Sequence, residues 1–196
     1  MQSKTAFLTL ALAASLSTSL TAQGPMRVAP SGHAITEVTL TLVDSAARAA
    51  AKPAKISIDY GQPNLRGRKL FTDSLLPYDK AWRTGANGAT MLTNDVDITI
   101  GGTTIPAGKY VIQTLPTRSG WKLLIQKDMS QSPMMAAMTY KPENDLARID
   151  LRQTTLAAPL ETFTIWLIPS RDPGPPHGKL VLSWGTFSLS TDWAQK

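Results

Sequence analysis

The sequence predicts an all-β protein, a single antiparallel β-sandwich of about nine or ten strands with jelly-roll or immunoglobulin-like topology. Three observations favour this class. Apolar residues alternate with polar ones along most of the chain, as in strands that bury one face. Glycine-containing turns separate these stretches. Only one short stretch has the composition of a helix.

The strands are predicted one by one from this alternation. In residues 38–42, valine and leucine alternate with threonine, which gives one apolar and one polar face. Alternation or a short apolar run predicts the other strands at 56–60, 96–100, 103–105, 109–115, 121–125, 149–151, 163–167, 180–184 and 187–189.

Turns and one helix fit between these strands. Gly101 and Gly102 form a two-residue hairpin signal, and the glycines at 108 and 120 lie in the turns that follow. The alanine-rich stretch 44–52 predicts a short surface helix capped by Asp44 and ended by Pro53.

The N-terminus has the layout of a secretory signal peptide over residues 1–22, with Lys4 followed by a short apolar run and small residues. The remaining chain divides into an N-terminal strand with the alanine-rich insertion at 23–53 and the rest of one sandwich domain at 54–196. We therefore expect an exported protein, periplasmic or secreted, without a transmembrane segment after cleavage.

Net charge and composition limit the classes of partner that the sequence predicts. The net charge is +6, and loss of Lys4 with the signal peptide leaves +5, because residues 1–22 hold no Asp or Glu. A moderately basic surface either serves solubility alone, the preferred interpretation, or favours anionic envelope ligands. No basic run interleaved with aromatics indicates nucleic acid. With no Cys and only His33 and His177, the sequence predicts no metal site and no cofactor.

Two acidic residues have the spacing of a catalytic pair. Asp95 and Asp97 are two apart, which places them about 7 Å from each other on one strand face. That separation is compatible with glycosidase carboxylates. The alternation with Val96 and Ile98 makes this the solvent face, so we expect an ordinary surface.

The long connection at 60–90 interrupts the strand pattern, and its sequence resembles a known family. Residues 60–63 (YGQP), 67–71 (GRKLF), 76–78 (LPY) and 82–87 (WRTGAN) are similar to the bacterial family called domain of unknown function 2911. The segments 99–102, 105–110 and 120–123 match as well, and the resemblance covers about residues 54–190. It implies an exported β-protein without assigned activity.

The chain departs from the family pattern in two places. Gly88 stands where members commonly carry Glu or Asp, and residues 134–136 replace a more aromatic, polar segment. An acidic group shared by other members would therefore be missing after Asn87.

The segment 60–87 is the candidate ligand site. Arginine forks suit carboxylate or phosphate, and aromatic rings stack on sugars, so an anionic or carbohydrate ligand is the expectation. The structural alternative is that glycines supply turns, aromatics plug the sandwich and arginines bond loop carbonyls. The candidate ligand-binding residues are Tyr60, Arg66, Arg68, Tyr78, Trp82, Arg83 and Asn87.

These observations favour a non-catalytic binding or structural module of the envelope. The alternative is a hydrolase acting on envelope glycans through a carboxylate, and the first carboxylates to check are Asp59, Asp73, Asp79 and Glu161. A buried carboxyl with a raised pKa in a convergent pocket would indicate the enzyme.

Overall fold

A computed structural model describes residues 24–127 and 140–196. The predicted signal peptide and the segment 134–136 lie outside the described residues. The described strands are β1 Gly32–Leu40, β2 Ala54–Gln62, β3 Thr90–Asn94, β4 Ile98–Ile100, β5 Thr103–Ile105, β6 Gly108–Thr117, β7 Gly120–Lys127, β8 Asp145–Pro169 and β9 His177–Gln195. The helix α1 spans Ser45–Ala50, and a short 3₁₀ turn spans Pro142–Asn144.

These strands form one nine-stranded antiparallel sheet in the order β1-β2-β3-β6-β7-β8-β9-β4-β5. The prediction of an all-β antiparallel protein is confirmed. The sheet is not closed, and β1 and β2 also contact β8, which lies far from them in the strand order. This contact is compatible with the predicted sandwich, and jelly-roll or immunoglobulin-like topology stays a prediction.

The two C-terminal strands each unite two predicted strands. An extended strand of 19 residues would span about 60 Å, yet the N–H of Gln195 donates to the carbonyl of Pro176 at 2.7 Å. Strand β9 therefore doubles back, and Gly185, with φ of 55°, lies at the bend. The ion pair of Lys179 with Asp192 (3.1 Å) also joins its two ends.

Strand β8 follows both arms of β9. Its register with β9 shifts between Thr155 and Leu160 and again before Thr164. Residues 152–155 pair with one arm and residues 164–169 with the other, so the chain bends between them.

Buried apolar side chains from most of the strands form one continuous cluster. Inward side chains of β2, β3, β6 and β7 contribute Ile58, Leu92, Ile112 and Leu123, all within 1% exposure. The bent strands β8 and β9 contribute further buried residues, namely Phe163, Ile165, Leu180, Leu182, Trp184 and Leu189.

The helix prediction is confirmed at its N-terminus, where the Asp44 carboxylate accepts from the N–H of Ala47 at 2.7 Å. All residues of α1 are exposed, as expected for a surface insertion.

The placement of Asp95 and Asp97 on one strand is wrong, because β4 begins only at Ile98. The two carboxylates accept from the backbone N–H groups of Lys55 (2.9 Å) and Ala107 (2.8 Å). They satisfy backbone donors around the turn between β3 and β4.

Candidate functional site

Residues 60–87, the signature segment, connect β2 to β3. Between these strands, the segment forms backbone hydrogen bonds with the edges of two other strands. The first edge belongs to β8. Its Phe163 N–H donates to the carbonyl of Pro63 (2.9 Å), and Leu65 N–H donates to the carbonyl of Glu161 (2.8 Å). These bonds fall where the register of β8 with β9 shifts, so the segment supplies partners that β9 does not.

The second edge belongs to β6, beyond the point where its pairing with β3 ends. Trp82 and Thr114 exchange two backbone hydrogen bonds of 2.7 and 2.9 Å. The N–H of Asp79 donates to the carbonyl of Pro116 at 2.8 Å. The signature segment therefore runs beside β6 in place of a longer β3.

Two glycines allow the ends of the segment to meet. The N–H of Ala86 donates to the carbonyl of Gly61 at 3.2 Å. A Cβ on Gly61 would lie 2.0 Å from the carbonyl oxygen of Ala86, and one on Gly85 would lie 2.9 Å from the carbonyl oxygen of Gly61. Only glycine permits this close approach of two backbones.

Tyr60 is buried, with 2% of its surface exposed. Its phenol oxygen accepts from the N–H of Ile165 (2.9 Å), and its O–H donates to the carbonyl of the same residue (3.3 Å). The hydroxyl of Thr36 accepts from Leu167 N–H in a similar way at 3.1 Å. Hydroxyl groups thus cover the edge of β8 where none of the described strands pairs with it.

Burial raises the pKa of the Tyr60 phenol above its ordinary value of 10.0, and the hydrogen bonds of Ile165 and Gln62 oppose that rise in part. The phenol therefore stays protonated and keeps both hydrogen bonds at neutral pH. Tyr60 belongs to the interior and presents no surface to a ligand.

Trp82 is half-buried and lies in an aromatic cluster. Its ring stacks on Trp184 with centroids 5.7 Å apart and planes at 13°, and it meets Phe163 edge-on at 4.9 Å. Trp184 and Phe163 are fully buried, so Trp82 packs against the core.

Tyr78 is 37% exposed, but its ring already has two partners within the protein. Phe71 stacks on it with centroids 5.3 Å apart and planes at 10°. The guanidinium of Arg118 lies over the ring at 5.2 Å from the centroid, within the range of a cation–π contact.

The arginines lie outside the core. Arg66 and Arg68 are exposed and Arg83 is partly exposed. Arg68 donates to the carbonyls of Leu65 (3.0 Å) and Asn64 (2.5 Å), and Arg83 donates to the carbonyl of Asn87 at 3.2 Å. Both arginines thus bond loop carbonyls, as the structural alternative expects, and both keep exposed surface, as a ligand site requires.

Arg66 and Asn87 are held in position through hydrogen bonds of their backbones. The N–H of Arg66 donates to a carboxylate oxygen of Glu161 at 2.7 Å, and Asn87 is exposed. The predicted residues therefore divide into Tyr60 and Trp82, which pack inside, and five that reach the surface.

Non-glycine residues with positive φ angles are concentrated in this segment. Every non-glycine residue with positive φ in the described chain lies between positions 66 and 87, with φ between 51° and 64°. Such conformations are costly for residues with a side chain and cluster at functional sites. The five residues are Arg66, Phe71, Asp79, Thr84 and Asn87.

The segment is also cationic, with five Lys or Arg against two Asp in residues 60–87. The other polar groups noted in the sequence lie elsewhere. His33 bonds Asp59 at 2.6 Å across β1 and β2, and Glu37 pairs with Lys55. Within 24–127 and 140–196, no group of three His, Asp or Glu is placed to hold a metal ion.

Sequence reasoning did not single out the outer face of β8 and β9. In β8, residues 163, 165 and 167 are buried, so 166 and 168 point outward. Trp166 is 39% exposed and Ile168 is 48% exposed. The signal was present in the alternation, because Trp166 falls on the same phase as Thr162 and Thr164, opposite to the phase of Phe163 and Ile165.

Together these features define an all-β domain with a strained, cationic connection across its edge. The chain belongs to the family DUF2911, described as a protein of unknown function, which it matches over residues 44–192. The family expected from the signature segment is confirmed. No curated protein and no solved structure matches the chain.

Across the part of the chain that the structure covers, no helix is long and apolar enough to cross a membrane.

Proposed function

We propose that this protein is an exported, non-catalytic binding module of the bacterial envelope, and that the outer surface of the signature segment binds an anionic ligand. The observation that carries the proposal is the concentration of all described non-glycine positive φ angles in this one segment. Such backbone conformations cluster at functional sites, where the surrounding structure holds a surface in one fixed shape.

Charge selects the ligand class. Arg66, Arg68 and Arg83 retain exposed surface, and a guanidinium has five N–H donors in a planar fork. The structure records two side-chain hydrogen bonds for Arg68 and one for Arg83 within the described residues. Donors therefore remain on both for a carboxylate or phosphate.

The aromatic residues argue against a carbohydrate at this position. Tyr60 is buried, Trp82 stacks on Trp184, and Tyr78 is held between contacts with Phe71 and Arg118. A sugar ring needs an open aromatic face. Of the two ligand classes expected for this segment, the anion is the better supported.

The hydrolase alternative has less support. Asp59 pairs with His33, Glu161 accepts from the backbone of Arg66, and Asp73 and Asp79 are exposed. None of these four carboxylates is buried, and Asp59 and Glu161 already have partners, whereas glycosidase chemistry needs two carboxylates that face one bond.

The test uses a charged and a neutral sugar of the same length. Trigalacturonate should bind in isothermal titration calorimetry, and galactotriose should not. Arg68→Ala and Arg83→Ala should each lower the affinity for trigalacturonate by about 1.5–3 kcal/mol, the loss of one charge-assisted hydrogen bond. Their melting temperatures should stay close to that of the wild type.

The control is Arg27→Ala, which removes an exposed arginine outside the segment and should bind as the wild type does. Co-sedimentation with peptidoglycan sacculi tests a natural polyanion in parallel. The proposal fails if neither trigalacturonate nor sacculi bind. It also fails if both arginine variants melt many degrees lower, since the arginines would then serve the fold.

A further inference from the structure

We infer that the outer face of β8 and β9 is a second binding surface, which stacks a neutral sugar ring on the indole of Trp166. Three of the five tryptophans are buried and Trp82 is half-buried, so Trp166 is the most exposed. Among the described residues, Trp166 stacks on no other aromatic ring. Its indole is therefore open where the rings of the signature segment are engaged.

The indole lies in a shallow cleft with a volume of about 600 Å³. This is within the range of pockets that hold small ligands, about 300–1,000 Å³. Its apolar part comes from Trp166, Ile168, Val181 and the bend of β8 at 156–160.

Hydroxyl groups lie in a row beside the indole. Thr164 is opposite Ser183 in the register of β8 and β9, and Ser183 donates to the hydroxyl of Ser188 at 2.8 Å. Ser188 is in turn opposite Thr154. The row thus crosses from one arm of the bent hairpin to the other, next to the pair of Trp166 and Val181.

This combination matches the chemistry of a sugar. A pyranose ring has an apolar C–H face, which packs on an indole, and a rim of hydroxyls, which exchange hydrogen bonds with serine and threonine. Ser183 and Ser188 both line the cleft. Ser183 is 2% exposed and donates its hydroxyl proton to Ser188, so the half-buried Ser188 is the one that presents a hydroxyl to a ligand.

The charge of the cleft favours a neutral occupant. None of the described residues that line it is charged, although the chain without residues 1–22 carries a net charge of +5. The nearest cation in the register is Lys179, opposite Ile168, and it is already paired with Asp192. An uncharged cleft on a cationic protein favours a neutral glycan over an anion or over a second, equally cationic copy.

The experiment measures binding of chitohexaose, a neutral oligomer of N-acetylglucosamine, by calorimetry and by tryptophan fluorescence. The wild type should bind and its tryptophan emission should change. Trp166→Ala should weaken binding at least about tenfold, and Trp166→Phe should weaken it less, because a smaller ring remains. Circular dichroism checks that both variants are folded.

Two control variants separate this surface from the rest of the molecule. Ile35→Ala removes an apolar side chain that is 60% exposed on β1 and should bind chitohexaose as the wild type does. Arg83→Ala should also bind it normally, since the two surfaces are independent. Binding of trigalacturonate can therefore be absent while binding of chitohexaose is present, and the two proposals fail separately.

Three outcomes would overturn the inference. The first is that neither chitohexaose nor cellohexaose binds to the wild type. The second is that binding survives in Trp166→Ala. The third is that sedimentation velocity finds a wild-type dimer that becomes a monomer in Trp166→Ala, which would identify the occupant as a second copy.

Discussion

The signature segment and the outer face of β8 and β9 differ in how they use aromatic rings. In the signature segment, Trp82 and Tyr78 each stack on another ring, and Tyr60 is fully inside. On the outer face, Trp166 has no aromatic partner among the described residues and is 39% exposed. The two surfaces also differ in charge. The segment is rich in arginine, whereas none of the described residues that line the cleft at Trp166 is charged.

The difference shows that a conspicuous sequence motif and a free chemical group need not coincide. A long connection must satisfy its own backbone, and here it does so with the backbones of β6 and β8 and with the guanidinium groups of Arg68 and Arg83. A regular strand satisfies its backbone through the sheet, so its outward side chains have no such task. Trp166 is therefore available because it pairs with Val181 in the sheet while its side chain points outward.

The largest effect that tests this contrast is on stability. Trp82→Ala should lower the free energy of unfolding by about 2–4 kcal/mol, because it opens a cavity against Trp184 and Phe163. Trp166→Ala should lower it by about 1 kcal/mol or less, because the indole already faces solvent. Urea unfolding of both variants measures the difference. Equal losses would mean that Trp166 is a packing residue like Trp82.

Much of the fold is predictable because alternation reports burial directly. Strands β2, β6 and β7 carry apolar residues on their buried face, and the sequence predicts them within a few residues. It does not predict strand β3, because the buried face of that strand is Thr90, Leu92 and Asn94. The two polar side chains bond carbonyls of Thr84 (2.8 Å) and Pro106 (2.7 Å), which no local pattern reveals.

The union of predicted strands into β8 and β9 is also invisible in the sequence. Gly185 predicts a break between two strands, and the structure uses it as a bend within one. The candidate site is predictable as a set of residue types. Their partners are not, because Tyr60 bonds a residue 105 positions away.

A smaller effect is expected when the Tyr60 hydroxyl is removed. Tyr60→Phe leaves the N–H and the carbonyl of Ile165 without their buried partner, which should cost about 1–3 kcal/mol of stability. Tyr78→Phe is the matched control, because its ring is partly exposed and it keeps the stack on Phe71; it should change stability by less than about 0.5 kcal/mol. Denaturant unfolding at neutral pH compares the two. Similar losses in both variants would show that the hydroxyl of Tyr60 does not hold the edge of β8.

The smallest effect concerns the pH dependence of that same bond. Burial raises the pKa of Tyr60, so the unfolded chain ionises first as the pH passes its ordinary value of 10.0. The contribution of Tyr60 is therefore complete below that pH and is lost as the pH rises through the folded pKa, at up to about 1.4 kcal/mol per pH unit. Burial also raises the pKa of Tyr110 and Tyr140, so Tyr60→Phe should reduce the alkaline loss without abolishing it. Urea unfolding of wild type and Tyr60→Phe from about pH 8 to about pH 11 should show their stabilities converging above about pH 10. Curves that stay parallel across that range would mean that the phenol is as accessible to solvent as those on the surface, and that the Tyr60 hydroxyl does not cover the edge of β8.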